Sequence, residues 1–386
     1  MKCELTPQRR SSLVFAAVAV GLLAVRCTTP TARGPMPEIE VLLQRGAADV
    51  RLGLDGPYRV TDRQGHELGS GKRLAGARVA ADGNGLDLNG FDLGASKIVL
   101  RPTDDDPFEF GGKRYAGDLA IERDNAGKLE VHGLLDIEEY LAGVLFSEMP
   151  SSFPRAALEA QAVAARTYAL YRKSHGDPLL RSTDADQVYG GLSTKQALAR
   201  ECVAATRGVV LEVDGATLCA YFMSTCGGAT VDAPAVFPGS GRAGLIGVPC
   251  DFCRESPKYR WERSIGLNEL ARRLGVTAPL NAITPRRDAF GHSLSFAVDA
   301  ASGDRTFAGQ EFRRAWNSGA SDAEKLPSSW LLDLDFSRDS LHVRGAGFGH
   351  GVGLCQYGAA GLAKQGRSWR EILEHYYRGA KLVRRW

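Results

Sequence analysis

Residues 136–170 read DIEEYLAGVLFSEMPSSFPRAALEAQAVAARTYAL, a stretch with two helix signals separated by a short break. Asp136 is a good N-cap and Glu139 follows three residues later, which is the pattern of a capping box. Apolar side chains then repeat along one helical face, namely Ile137, Leu141, Val144 and Leu145. This pattern predicts a first helix that ends near Phe146.

The second helix signal runs from Pro154 to Lys173. Proline suits a first helical turn because its missing N–H would have no intrahelical partner there. Seven alanines lie between Ala156 and Ala169, and side chains this small let neighbouring backbone approach closely. We therefore expect this helix to lie in a core.

Glu148 is a single carboxylate in the predicted break, flanked by Phe146 and Met149. Partial removal from water there would favour the protonated carboxylic acid that general acid chemistry uses. The alternative is a surface glutamate at a helix end, and the spacing alone does not choose between the two.

Composition argues against several classes of function. The chain has 386 residues, enough for a large core and more than one structural unit, and a net charge of only +3. Its basic residues are dispersed, without a long basic run or an aromatic-interleaved basic patch. We therefore expect no nucleic-acid partner.

Residues 1–27 have the layout of a secretory leader. Arg9 and Arg10 precede an apolar run, residues 13–25, that is too short to span a bilayer comfortably. Cys27 suggests a lipoprotein, but Arg26 stands where a small residue is expected, so an uncleaved short anchor is the alternative. The sequence predicts export to the periplasm or cell envelope, with membrane contact only through the leader or a lipid.

The rest of the sequence divides into three parts that differ in their residue patterns. Residues 28–37 are rich in Pro and Thr and are expected to form a flexible tether. Residues 38–135 are short strand-like runs punctuated by glycine and aspartate, which predicts a β-rich platform. Residues 136–386 mix helix and strand signals and form the predicted catalytic core. They include strands over residues 209–213 and from Thr217 to Ser224, joined by Asp214-Gly215, which predicts a short hairpin turn. The expected fold class is α+β, in one elongated architecture.

Six cysteines follow the leader: Cys202, Cys219, Cys226, Cys250, Cys253 and Cys355. In an exported protein the expected state of such cysteines is the disulfide. Cys250 and Cys253 form a CxxC, which a single short disulfide bridges only with strain but which a tetrahedral metal site accepts easily.

A glycine-rich segment, GAGFGHGVGLCQY, occupies residues 345–357. It lacks the lysine and the strand-to-helix spacing of a phosphate-binding loop, so we reject a nucleotide site. The alternating glycines instead place His350 where another backbone or a ligand can approach closely. A structural turn histidine is the alternative.

Taken in order, several segments resemble the SpoIID/LytB family: LDIEEYLAGVLFSEMP, ALEAQAVAARTYAL, DADQVYGG, AATRGVVL, AYFMSTCGGAT, GFGHGVGLCQYGAAGLAKQG and ILEHYY. The resemblance covers about residues 37–383. It implies a bacterial cell-wall protein whose characterised members cleave peptidoglycan glycan strands as lytic transglycosylases, often on denuded strands stripped of stem peptides. It also implies that the glutamate of the EMP motif, Glu148, is the catalytic acid and base.

The chemistry of residue types agrees with that implication. An ordinary glycosidase places two carboxylates across the bond. A lytic transglycosylase needs no enzyme-activated water, because the muramyl C6 hydroxyl attacks its own anomeric carbon and leaves a 1,6-anhydro end. Glu148 would serve as acid and then as base, without a cofactor. Asp184 and Asp186 are rivals, although their polar loop favours turn or hydrogen-bonding roles.

Other positions in the matching motifs are candidates for holding the sugar: Arg166, Gln187, Tyr189, Ser224, Gly227, His350 and Gln356. Such sites combine a few polar groups with a flat apolar surface, which these residue types can supply. Arg166 has a second reading, in which it orients Glu148. Tyr168, on the same helix, is expected to pack in the core or join a buried hydrogen-bond network.

The sequence departs from the family at a metal site. Some members carry Cys and His ligands around the segment that matches residues 183–191, which has neither here, so we expect no zinc at that location. A different four-thiolate site could form from Cys226, Cys250, Cys253 and Cys355, holding a structural zinc, with one or two disulfides as the alternative.

Two other functions stay open. The first is a non-catalytic glycan-binding module that stimulates a partner amidase, a role attributed to some relatives. The second is a plain hydrolase, which needs a second carboxylate that the sequence does not identify.

Overall fold

The structure is a computed structural model that describes residues 34–83, 85–175, 179–183 and 186–386. The predicted leader, the tether as far as residue 33, Cys27 and Asp184 lie outside the described residues. Within the described part of the chain, no helix is long and apolar enough to cross a membrane.

The β-rich region consists of short antiparallel strands: β1 (Glu38–Ala47), β2 (Asp49–Leu54), β3 (Tyr58–Asp62), β4 (Glu67–Gly71), β5 (Leu74–Asp82), β6 (Gly85–Leu88), β7 (Phe91–Asp92), β8 (Lys97–Pro102), β9 (Phe108–Phe110), β10 (Lys113–Tyr115), β11 (Asp118–Arg123) and β12 (Leu129–Asp136). They form one sheet in the order β1-β12-β11-β8-β3-β4 and a second in the order β10-β9-β2-β5-β6-β7. Alternate residues such as Ile39 and Val41 point inward, as a half-buried strand requires.

Helices α1 (Ile137–Glu148) and α2 (Arg155–Ser174) follow. The predicted cap is present, since Asp136 Oδ1 accepts a hydrogen bond from the Glu139 N–H at 2.9 Å. The predicted end of α1 near Phe146 is wrong, because the Met149 N–H still donates to the Leu145 carbonyl at 3.0 Å and the helix continues to Glu148. Glu148 therefore lies in the last turn of α1 rather than in the break.

Helix α2 is the centre of the core, as its alanines predict. Twelve of its 20 residues are buried. It contacts α1, α3 (Gln196–Ala205) and strand β14 (Val209–Val213). Strand β13 (Leu179–Arg181), which comes after α2 in the sequence, joins the first sheet parallel to β1. Asp214 and Gly215 have φ values of 51° and 81°, which suits the predicted hairpin between β14 and β15 (Ala216–Thr217).

The predicted strand from Thr217 to Ser224 is wrong. The chain leaves β15 at Thr217, and the next strand, β16 (Phe222–Met223), pairs in parallel with a distant segment, Leu354–Cys355, instead of extending the hairpin. A long-range pairing thus replaces a local one. A short helix α4 (Ala233–Val236) and one 3-10 turn (Asp251–Cys253) follow.

Residues 260–346 form a unit with its own hydrophobic core, which the sequence analysis did not separate. Its elements are β17 (Arg260–Gly266), α5 (Leu267–Leu274), β18 (Leu280–Arg287), β19 (Ser293–Ala300), β20 (Arg305–Ala308), α6 (Gly309–Asn317), β21 (Leu331–Phe336) and β22 (Ser340–Ala346). Phe296, Phe312 and Trp316 are fully buried at its centre. We call residues 260–346 the inserted unit.

The chain then returns to the main core with β23 (Leu354–Cys355), α7 (Gln356–Lys364), α8 (Trp369–Tyr376) and β24 (Lys381–Arg384). Both α7 and α8 pack on α2, and β24 pairs antiparallel with β14. The indole N–H of Trp386 donates to Glu138 Oε1 at 2.9 Å, which ties the end of the chain to the first turn of α1. The mixture of helices and sheets confirms the α+β, β-rich fold class.

Candidate functional site

Glu148 is half-buried at the C-terminal end of α1, and its Oε1 accepts a hydrogen bond from the Val188 N–H at 2.7 Å. Val188 belongs to the segment that follows α2 in sequence, here called the docking loop (residues 186–191). A backbone donor at this distance fixes the orientation of the carboxylate. The structure thus places the candidate acid where a helix end meets a loop, and the loop holds it.

Gln187 anchors the docking loop from inside the protein. The Tyr140 hydroxyl donates to Gln187 Oε1 at 2.9 Å, and Gln187 Nε2 donates to the Ala165 carbonyl at 3.1 Å. Burial raises the pKa of Tyr140 well above its usual value, and the nearby Glu148 carboxylate raises it further, so the hydroxyl keeps its proton. Gln187 is fully buried, so it positions the adjacent Val188 N–H rather than facing a sugar.

Tyr189 is also buried, and it packs on a glycine of α1. Its ring centroid lies 5.3 Å from that of Tyr140 and 5.7 Å from that of Tyr115. A Cβ at Gly143 would stand 2.4 Å from Tyr189 Cε2, so the ring fits only because position 143 has no side chain. Residues 140, 143, 147 and 148 lie on one side of α1. The same helix therefore carries both the contacts to the docking loop and the carboxylate of Glu148.

The rival carboxylate Asp186 is already engaged. Its Oδ1 pairs with Arg172 and accepts from the Tyr168 hydroxyl at 3.2 Å, while Oδ2 accepts from the Arg181 N–H at 3.0 Å. Its side chain is 1% exposed. Asp186 therefore holds the docking loop, and Tyr168 occupies the buried hydrogen-bond network that the sequence indicated. Asp184 lies outside the described residues.

Arg166 is not placed to contact substrate or Glu148. It is fully buried on α2, where its guanidinium forms an ion pair with Glu138 at 2.6 Å and donates to the carbonyls of Val203 and Val209. A further donor contact goes to Thr206 Oγ1 at 3.3 Å. The motif position predicts that Arg166 contacts substrate or orients Glu148, whereas its burial and its partners give it a structural role.

Ser224 and Gln356 lie where the glycine-rich segment, residues 345–357, meets strand β16. Ser224 is half-buried and its carbonyl accepts from the Tyr357 N–H at 3.1 Å, while Gln356 is 5% exposed. The Tyr357 ring contacts Phe153 edge-on, with centroids 5.0 Å apart. Because Phe153 follows Glu148 closely in sequence, these contacts connect the start of α7 to the segment after the candidate acid.

Gly227 has a backbone role. Its φ is +85°, and a Cβ there would stand 2.7 Å from the Gly347 nitrogen. Two backbone segments approach each other at this point, which only glycine permits. Its carbonyl accepts from Arg260 Nη1 at 2.7 Å, so the predicted sugar contact does not fit a residue that is enclosed by its own protein.

His350 is held in one tautomer. Its Nδ1 accepts from the Val352 N–H at 3.0 Å, so Nε2 carries the hydrogen and donates to the Phe222 carbonyl at 2.9 Å. Burial lowers the pKa of His350 to about 4, with a smaller lowering from the positive charge of Arg313 and an opposing effect of the hydrogen bond to the Phe222 carbonyl. The imidazole is therefore neutral near pH 7, and it lines a pocket between the main core and the inserted unit.

This pocket contains a residue that sequence reasoning did not select. Trp330 lines it beside His350 and His292, and Trp330 Nε1 is buried without a hydrogen-bond partner among the described residues. An aromatic face with nearby polar groups is typical of carbohydrate sites. Trp330 belongs to the inserted unit and lies outside every matching motif in the sequence, so no local pattern identified it.

Four buried cysteines form the residue group best suited to a metal ion. The Sγ atoms of Cys226, Cys250, Cys253 and Cys355 lie within 4.8 Å of one another, and all four are free thiols in the structure. Thiolates at such distances can bind a tetrahedral cation.

The sequence is similar to known proteins. The family model for SpoIID, described as a stage II sporulation protein, matches residues 125–212. An uncharacterized protein of Brachyspira hyodysenteriae is 30% identical over 357 residues, covering 89% of this chain and 92% of its own length. Stage II sporulation protein D of Bacillus subtilis is 30% identical over 270 residues, 64% of this chain and 74% of its own length. The amidase enhancer of Bacillus subtilis is 28% identical over 293 residues, 63% of this chain and 40% of its own length.

Proposed function

This chain belongs to the SpoIID/LytB family, and on that premise we propose that it is an exported lytic transglycosylase that cleaves the glycan strands of peptidoglycan. Its membership supports a cell-wall role, in keeping with an extracytoplasmic location. The finer assignment rests on one observation, the carboxylate of Glu148 held by the Val188 N–H at the end of α1.

One held carboxylate suits this reaction better than it suits hydrolysis. Hydrolases that use two carboxylates separate them by roughly 5–9.5 Å, so that the second attacks the sugar or activates a water. Among the described residues of the docking loop, the carboxylate of Asp186 is already paired with Arg172. The substrate must then supply its own nucleophile.

The proposed steps use Glu148 twice. As an acid it gives its proton to the glycosidic oxygen between MurNAc and GlcNAc while the C–O bond breaks. As the resulting carboxylate it takes the proton of the muramyl C6 hydroxyl, whose oxygen bonds to the anomeric carbon and forms the 1,6-anhydro ring. The Val188 N–H keeps the carboxylate in one orientation through both steps, which is the kind of positioning that catalysis requires.

The test is product analysis on peptidoglycan with stem peptides and on denuded glycan. We expect anhydro-muramyl ends by mass spectrometry from the natural protein and a loss of about a hundredfold or more from Glu148→Gln. Glu159→Gln is the matched control, because it removes the same charge from a helical glutamate that pairs with Arg155 instead of Val188. If Glu148→Gln cleaves as fast as the control, Glu148 has no part in the mechanism.

A second function is favoured by one comparison, the similarity to a protein named amidase enhancer. In that case the chain would bind glycan strands and stimulate a partner amidase without cutting the strands. Stimulation that persists in Glu148→Gln, with no anhydro ends from either protein, would select this function. New reducing ends instead of anhydro ends would indicate a hydrolase.

A further inference from the structure

Four cysteines from three separate segments meet in the main core. Cys226 follows β16, Cys250 precedes the 3-10 turn, Cys253 is the last residue of that turn, and Cys355 is the N-cap of α7. Their Sγ atoms lie within 4.8 Å of one another, and none of the four residues is more than 3% exposed. The other two cysteines of the described chain, Cys202 and Cys219, are not part of this group.

The sulfur spacing is compact enough for a tetrahedral metal site. A Zn–S bond of about 2.3 Å in a regular tetrahedron separates neighbouring sulfurs by about 3.8 Å. The Sγ atoms of Cys226 and Cys253 are 3.6 Å apart. Two disulfides would instead need each cysteine to approach one partner at about 2.05 Å and to leave the other two.

Hydrogen-bond donors already surround the sulfurs. The N–H groups of Cys226 and Gly358 point to Cys355 Sγ at 3.2 and 3.3 Å. The Tyr376 hydroxyl lies 3.1 Å from Cys250 Sγ. Donors of this kind stabilise thiolates and form the outer shell of metal–thiolate sites.

Backbone at Gly358 makes the space for this arrangement. A Cβ at that position would stand 2.7 Å from Cys250 Sγ and 2.0 Å from the Tyr376 hydroxyl oxygen. The first turn of α7 can therefore pass beside the cluster only because residue 358 has no side chain. The helix that begins at the cluster is the one that carries Gln356 and Tyr357 towards β16.

We propose that Cys226, Cys250, Cys253 and Cys355 bind one structural zinc ion, which joins the two ends of the inserted unit to the main core. The inserted unit begins shortly after Cys253 and ends shortly before Cys355. The four Zn–S bonds would therefore hold together the two chain segments that connect this unit to the main core. The ion has no role in the chemistry of Glu148, and the inference stands whether or not the chain cleaves glycan.

The experiment measures zinc and thiols on the full chain, purified without chelator and dialysed extensively. We expect about one zinc per chain by elemental analysis, and the visible absorption of tetrahedral thiolate-bound cobalt after exchange with Co²⁺. We expect slow alkylation of the four cysteines until a chelator is added, followed by complete alkylation of each in denaturant, mapped by peptide mass. The Tm should fall on chelation, because binding to the folded state alone stabilises that state.

The matched variants separate the site from a general effect of losing a buried thiol. Cys253→Ser should hold less than a tenth of the zinc, whereas Cys202→Ala, at a buried cysteine on α3, should hold as much as the natural protein. If Cys253→Ser fails to fold, zinc content and the cobalt spectrum of the natural protein still decide. Zinc-free protein overturns the proposal, whether its four cysteines resist alkylation as two disulfides or react as free thiols.

Discussion

Replacing Arg166 with methionine should lower the free energy of unfolding by about 3 kcal/mol, at the lower end of the range for breaking a buried ion pair. Arg166 is fully buried and makes two bonds to Glu138, Nε to Oε1 at 3.1 Å and Nη2 to Oε2 at 2.6 Å. Without the guanidinium, the Glu138 carboxylate, 11% exposed, loses its cation. It keeps the N–H groups of Gly208 and Trp386, which limits the loss.

The chain offers a close control on the same helix turn. Arg200 pairs with Glu139, the neighbour of Glu138, at 2.7 Å, but the two side chains are 55% and 21% exposed. Arg200→Met should therefore cost less than about 1 kcal/mol. Urea unfolding followed by tryptophan fluorescence measures both variants.

A double variant tests the cause of the loss. Glu138→Leu with Arg166→Met removes both charges, so it should be less destabilised than the sum of the two single changes. Glycan cleavage per folded molecule should survive in Arg166→Met well below its unfolding transition. Unchanged stability together with lost cleavage would refute the structural role and restore Arg166 as a substrate contact.

Three further predictions concern the docking loop and His350. Tyr140→Phe removes the donor to Gln187 Oε1, so it should lower the free energy of unfolding by about 1–3 kcal/mol, measured by urea unfolding, and slow glycan cleavage. An unchanged cleavage rate would show that Gln187 does not help to position Glu148. Gly143→Ala brings a methyl group to 2.4 Å from the Tyr189 ring, so overpacking should lower the free energy of unfolding by about 1–3 kcal/mol, and Tm and activity should fall with it. A normal Tm would contradict the tight fit. The pKa of His350 is lowered by burial to about 4, so its stabilising contribution is complete above pH 6.5 and is lost as pH falls towards 4, about 2 kcal/mol after allowance for partial exposure. His350→Gln can keep both hydrogen bonds, and it should flatten stability against pH in this window; the same slope as the natural protein would assign the titration to another group.

Local patterns predicted the elements that local forces determine. The cap at Asp136, the buried alanine helix α2 and the turn at Asp214 were all readable, because each depends on neighbours within a few residues. The end of α1 was missed by two residues, since no strong helix breaker stands before Pro150. The second core of the inserted unit was missed because only packing between distant segments defines it.

Roles in the site were less readable than positions. Motif resemblance selected Gln187 and Tyr189, and the structure brings both to α1 beside Glu148, but as supports of the docking loop. Polar and aromatic residue types suit either role, and only the observed burial separates them. The sequence named all four sulfurs of the cysteine group, and the structure brings Cys226 and Cys355, 129 residues apart, together with the two cysteines of the CxxC.

The bond from Trp386 to Glu138 has a consequence for the living cell. A ribosome makes Arg166 and then needs roughly ten to forty seconds to reach residue 386, at about 5–20 residues per second. Throughout that interval the packing of α1, α2 and β14 lacks β24 and the indole of Trp386, so this part of the core stays open to water. The core around α2 therefore cannot close during synthesis until the segment that carries β24 and Trp386 has been made.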